Sequence, residues 1–136
     1  MDSRGVIQNV ARAQQINSFS GIRYGNITPT DMDGLIEYNN KAYVIFEVKY
    51  RDKKLPFGQR LAIQRMVDDL SLGGKKVIAL IIEHCVDNTA EQIDIAGCEV
   101  RELYLSNEKQ WRPPHKRIRV KTLIDLFITK IVGDPF

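Results

Sequence analysis

The sequence predicts an α/β domain in which a central mixed β-sheet is flanked by helices. Three observations lead there. Short runs rich in β-branched and aromatic residues, "GLIEY", "KAYVIFEVKY", "KKVIALIIEH" and "CEVRELYLS", are interrupted by one long helical pattern at 57–74. "KKVIALIIEH" is apolar on both faces, as a strand covered from two sides must be. A last helical pattern follows the strands, so helices are available to cover a sheet. The 136 residues suffice for one core and are few for two, so 1–136 is expected to form a single domain.

Each element has its own signal. Val6, Val10 and Ala13 recur at helical spacing and predict a first amphipathic helix over about 4–17. Gly21, Gly25 and Pro29 then break any helix. "GLIEY" and "KAYVIFEVKY" read as two strands joined by a tight turn at Asn39-Asn40, since asparagine tolerates the positive φ such a turn requires. "RDKKLP" is a polar loop. The helix after it ends at Gly73-Gly74, the residues best suited to a left-handed C-terminus. Along that helix, at about 100° per residue, Gln59, Ala62, Ile63, Met66 and Leu70 share one stripe, with Leu61 on the outer side. "EKQWRPPHKR" reads as an irregular basic connection. Val120, Leu123, Ile124, Phe127, Ile128 and Ile131 mark the last helix.

Composition narrows the function classes. Hydrophobic residues at 43% and charged residues at 27% are those of a globular domain. No apolar run approaches the roughly 18–20 residues of a membrane span, and "MDSRGVIQNVARAQQ" lacks the apolar core of a signal peptide. Cys85 and Cys98 lack the paired spacing of a zinc site and suit a reduced, cytoplasmic protein. Net charge is only +3, but it is unevenly distributed. "RPPHKRIRVK" carries Arg112, Lys116, Arg117, Arg119 and Lys121 with no acid among them. Such a stripe suits a polyanion such as DNA, and equally a solvated strand edge. Trp111 beside it either stacks on a base or anchors a loop. His84 and His115 have no partner ligand at useful spacing and read as structural or surface residues.

One segment departs from core chemistry. The apolar strand "AYVIF" continues into Glu47 and Lys49. Alternate residues share a face, so these two lie together about 7 Å apart along the backbone, while Val44, Phe46 and Val48 take the other face. Asp33 opens the preceding strand, and a hairpin would bring it to the same end of the sheet as Glu47. Two carboxylates that converge repel unless a cation sits between them, and Mg²⁺ commonly binds through one or two carboxylates with waters and phosphate oxygens. Beside such an ion, a lysine acts on the attacking water or offsets transition-state charge. Asp31 shares the parity of Asp33 and competes for its role. Asp33 is preferred because "DGLIEY" leads directly into the strand, whereas Asp31 is still in the loop. Glu37 has the same parity but lies further along, toward solvent.

The pattern "TPTDMDG…FEVK", over roughly residues 27 to 83, resembles the PD-(D/E)xK nuclease superfamily, whose motif is an acidic residue opening one strand and an ExK triplet on the next. The resemblance implies a restriction-endonuclease-like core and a Mg²⁺-dependent DNA endonuclease, with Mn²⁺ able to substitute. It assigns the metal to Asp33, Glu47 and the backbone carbonyl of Val48, and the attacking water to Lys49. "FGQR" is similar to the helix that, in members of this superfamily, brings a glutamine near the metal, which would be Gln59; Arg60 follows as a candidate phosphate contact. Many members add a glutamate on the first helix, where this chain carries Gln8, Gln14 and Gln15. That departure puts a second metal in doubt. Small members of the superfamily include Holliday-junction resolvases, which serve recombination and repair as two-fold dimers. A junction or other DNA structure is therefore the expected substrate, with low sequence specificity, and a homodimer is the expected assembly. Two alternatives stand beside this: an inactive DNA-binding module on a nuclease fold, and an interaction or inhibitor protein.

Overall fold

The computed structural model describes residues 4–15 and 18–132. It divides the chain into two units, 1–30 and 31–136. In the first, a single helical turn, α1 (Val10–Ala13), is capped by Asn9, whose side chain accepts from Arg12 N at 3.0 Å. This corrects the expected helix over 4–17, whose residues 16 and 17 lie outside the described ones. Val6, Ile7 and Val10 are exposed. A helix with no buried apolar face has only its propensity to hold it, and short helices do not persist on that alone. Further on, Tyr24 and Ile27 form an isolated antiparallel bridge around Gly25.

The second unit is the sheet domain, an α/β arrangement in the order β1 (Gly34–Tyr38), β2 (Ala42–Tyr50), α2 (Phe57–Leu72), β3 (Lys76–His84), a 3₁₀ turn (Ile95–Gly97), β4 (Glu99–Leu105), β5 (Gln110–Arg112) and α3 (Val120–Val132). The five strands lie side by side in sequence order. β1 pairs antiparallel with β2, β2 parallel with β3, and β3–β4 and β4–β5 antiparallel. The β1–β2 turn takes Asn39 and Asn40, both at positive φ as expected, and one residue more, Lys41, because Tyr38 pairs with Ala42. A parallel pair cannot be joined by a tight turn, and α2 supplies the crossover between β2 and β3. Gly74, rather than Gly73, takes the left-handed conformation that ends α2 (φ +91°), and Lys75 N closes back onto the Leu70 carbonyl at 3.3 Å. β5 lies within the stretch expected to be irregular; three residues are too few for a periodic signal, and it exists by adding to an edge already formed.

Two apolar clusters cover the two faces. Val44, Ile78, Leu80, Ile82, Val100 and Leu103 pack with Val120, Leu123 and Ile124 of α3. Ile45, Val77, Ala79, Ile81 and Tyr104 pack with Ile63 and Val67 of α2 and with Leu55. The doubly apolar β3 is thus central, as its composition demands.

α2 is turned from the expected stripe. Ile63 and Val67 are buried, Leu70 packs beside them, and Met66 is 38% exposed. The sheet explains the rotation, because it presents polar atoms to this helix. The fully buried Tyr104 donates its hydroxyl hydrogen to Asp68 at 3.0 Å, and Trp111 Nε1 donates to Gln64 at 3.2 Å. Unmet buried donors are costly, so α2 settles where its polar residues answer them.

Gly34 sits opposite Phe46, and its missing side chain makes room for that ring: a Cβ there would lie 2.0 Å from Phe46 Cζ. Gly34→Ala is expected to displace the ring and destabilise the domain by about 1–3 kcal/mol, the usual range for overpacking. Urea unfolding of the two proteins would measure it; an unchanged midpoint would show that the ring moves freely.

Candidate functional site

The hairpin register decides whether the predicted carboxylates meet. Gly34 pairs with Phe46, so Asp33, one residue before β1, stands across from Glu47. Asp33 Oδ2 accepts a hydrogen bond from Val48 N at 2.7 Å. The Asp33 side chain thereby takes the place that another strand residue would have filled. In an extended strand the N–H and C=O of one residue point to the same side. The Val48 carbonyl is therefore directed toward Asp33 as well, past the first residue of β1. Asp33 and Glu47 are thus brought together, with the main chain of Val48 beside them.

Glu47 is the unusual member. It is the one buried charged residue among those described, at 2% exposure, on a strand face otherwise made of Ile45 and its apolar neighbours. Its Oε1 is buried without a hydrogen-bond partner. Burial, then side-chain hydrogen bonding and like-charge repulsion from Asp33, push its carboxyl up to about 8, with a main-chain hydrogen bond from Asp33 and then the charge of Lys49 drawing it the other way. Lys49 is half-buried on the same face. A carboxylate held in this way needs a proton or a cation, and oxygen donors from two side chains and one main-chain carbonyl suit a hard divalent ion. Among the described residues no group of three or more His, Cys, Asp and Glu side chains converges, so two carboxylates are what the site provides.

Gln59 stands at the start of α2, half-buried, and its Nε2 donates to the Asp31 carbonyl at 2.9 Å. It braces the loop that carries Asp31 and Asp33. Asp31 and Glu37 are both exposed, and Glu37 accepts from Asn40 N at 2.7 Å, closing the hairpin turn.

Sequence reasoning missed two residues here. Glu83 of β3 is in register with Lys49 and so shares its face. Arg101 of β4 reaches Glu83 at 3.5 Å and donates to the carbonyls of Arg51 (2.9 Å) and Lys53 (2.6 Å), the loop just after Lys49. The parity of Glu83 with Ile81 was a usable signal. The reach of Arg101 across the sheet was not, because the pairing of β3 with β4 is not written in either strand.

The expected basic contacts are distributed differently from a free cationic stripe. Arg60 pairs with Glu102 and stacks over Trp111, 5.0 Å from the ring centroid. Arg112 pairs with Glu108, Arg117 with Glu99 and Lys121 with Asp125. Hydrogen bonds from Arg117 and Arg112 hold Glu99 and Glu108 below the usual carboxylate range. The acids come from β4, from the turn before β5 and from α3, so they were invisible within "RPPHKRIRVK". Lys116 and Arg119 are exposed. Trp111, bonded to Gln64 and tilted against Tyr104 at 5.3 Å, anchors β5 to the core.

The Arg60 arrangement makes a test. Arg60→Ala is expected to lower stability by about 1–3 kcal/mol, since it leaves half-buried Glu102 unpaired and removes the stack on Trp111. Thermal unfolding reads the loss; a drop in DNA affinity with unchanged stability would return Arg60 to the role of phosphate contact. Compared with models of protein families, with curated proteins and with solved structures, the chain matches none. Among the described residues no helix is long and apolar enough to cross a membrane.

Proposed function

We propose that this chain is a metal-dependent DNA endonuclease with a restriction-endonuclease-like core. The observation that carries the proposal is Glu47: a carboxyl buried at 2% exposure, with an oxygen lacking any protein partner, set against Asp33 and Lys49. A structural role would have been filled better by an apolar residue, since a buried acid with an unsatisfied oxygen costs stability.

Asp33, Glu47 and the Val48 carbonyl would hold a Mg²⁺ ion, for which Mn²⁺ can substitute. Bound there, the ion supplies the charge that acidifies a water and offsets negative charge developing on a phosphate. The chain's own residues do the rest. Asp33 keeps one oxygen on Val48 N, which fixes its remaining oxygen at the end of the hairpin. Lys49 lies on the same face as Glu47, where its amine can take a proton from the attacking water or its ammonium can meet the transition-state charge. Glu83 and Arg101 hold the strand end and the loop after Lys49, so the lysine works from a braced position. Gln59 does the same for the Asp31–Asp33 loop.

Phosphate contacts position DNA without specifying its sequence. The proposed activity is accordingly directed by DNA structure, as in a junction resolvase, and a second copy would be needed for symmetric cuts.

The test is cleavage of a labelled panel, comprising a four-way junction, a flap, a single strand and a linear duplex, with Mg²⁺ or Mn²⁺. Cleavage lost with EDTA supports the assignment, and paired symmetric nicks in the junction support a dimeric resolvase. DNA binding without cleavage of any substrate would sink the enzyme and leave a binding module.

A further inference from the structure

A second feature lies apart from Asp33 and Glu47. The strands carry that pair at one end of the sheet, where β2 finishes. At the other end, where β3 begins, a cleft of about 990 Å³ opens between the sheet and α3. Its apolar surface is built by Ile78, Leu103, Leu105, Leu123, Leu126 and Phe127. Most of these also belong to the core, but Leu126 is 48% exposed and Phe127 half-buried, so the apolar surface is open to a ligand.

The rim has the opposite character. Lys75 and Lys76 reach it from the start of β3 and Lys116 from the connection between β5 and α3, while Arg117 beside Lys116 is already paired with Glu99. Among the described residues that line the cleft there is no Asp or Glu. Lysines thus approach an aliphatic trough from two separate elements.

We infer that this cleft is a docking surface for an acidic amphipathic helix of a partner protein. The occupant must present apolar side chains to the trough, which excludes a bare polyanion. It must also carry several separated negative charges, because the cations are spread around the rim. A single-chain fatty acid has one. A DNA strand has many, but its bases stack best on aromatic rings, and this surface is mainly aliphatic. A second copy that presented this same face would bring its own lysines against these. A helix with leucines at i, i+3, i+4 and i+7 and glutamates on its flanks meets both requirements. The inference stands independently of the nuclease assignment, since it uses neither Asp33 nor Glu47.

The probe is a fluorescein-labelled peptide of roughly 15–18 residues, long enough to form a helix, with that leucine spacing and flanking glutamates. Fluorescence anisotropy follows its binding to the full chain. Leu126→Glu puts a charge on the trough and Lys76→Glu reverses one on the rim; both side chains are exposed, and melting curves check that the variants fold. Saturable binding that each variant weakens at least about tenfold, that falls with added salt, and that a lysine-flanked peptide lacks would support the surface. No binding, equal binding of the lysine-flanked peptide, or binding indifferent to both variants overturns it. So does displacement of the peptide by dodecanoate or by a single-stranded oligonucleotide at lower concentration, which would make the cleft a lipid or nucleic-acid site.

Discussion

Glu47→Gln is expected to eliminate cleavage and, in the same molecule, to stabilise the fold at alkaline pH. The loss of activity should be at least about 10²-fold, since replacing even residues that only support a metal ligand costs 10–100-fold. The gain in stability follows from linkage. The Glu47 carboxyl is pushed up to about 8 from an ordinary value of 4.5, so the folded protein keeps a proton that the unfolded chain has released. Between those values the folded state binds more protons, and stability falls as pH rises. Glutamine has the same shape and never ionises, so the variant escapes that decline. Its advantage should grow from about pH 5 to pH 8 and then level off, reaching a few kcal/mol at most. Urea unfolding at several pH values, without divalent ions, measures this directly. A variant less stable than the parent at pH 8 would show that Glu47 is held by structural bonds and would count against a cation site.

On the proposed reading, the same titration would govern ion affinity. A proton and Mg²⁺ compete for Glu47, so the stabilisation of the parent by added Mg²⁺ should weaken as pH falls below about 8. It should be absent in Glu47→Gln at every pH. This reads the metal site without requiring the right DNA substrate.

Lys49→Met is the second large effect, and it should separate binding from chemistry. Methionine keeps the length and apolar stem of the side chain while removing the amine. Cleavage should fall about 10²–10³-fold, the range seen when a single group opposite developing charge is removed. Stabilisation by Mg²⁺ should remain, because Lys49 supplies no oxygen ligand. If the ion no longer stabilised the variant, Lys49 would instead be holding the two carboxylates in place. Equal loss in Arg101→Ala would be informative in another way. It would mean that the brace through Glu83 and the loop at Arg51–Lys53 is needed to aim the lysine.

Much of this site was legible because it is local. Asp33, Glu47 and Lys49 lie within one hairpin, and a hairpin's register follows from its turn. Once Asn39, Asn40 and Lys41 form the loop and Tyr38 pairs with Ala42, Asp33 stands across from Glu47. The parity of an extended strand then puts Lys49 on the face of Glu47. The doubly apolar β3 announced its central place in the same way, through composition alone.

What escaped the sequence depends on pairs far apart in the chain. Arg60, Arg112, Arg117 and Lys121 read as a cationic surface until Glu102, Glu108, Glu99 and Asp125 are set beside them. The rotation of α2 away from Met66 and toward Val67 is decided by the buried Tyr104 and the half-buried Trp111, two donors on strands the helix precedes. The short α1 shows the limit from the other side, for helical spacing without a surface to bury against does not make a long helix. The sequence by itself determined the elements with strong periodicity and the contents of one hairpin, where neighbours in space are near neighbours in the chain. Only the tertiary structure decided which charges are paired, which way α2 faces and that Glu47 is buried, because burial and pairing are properties of what packs against a residue.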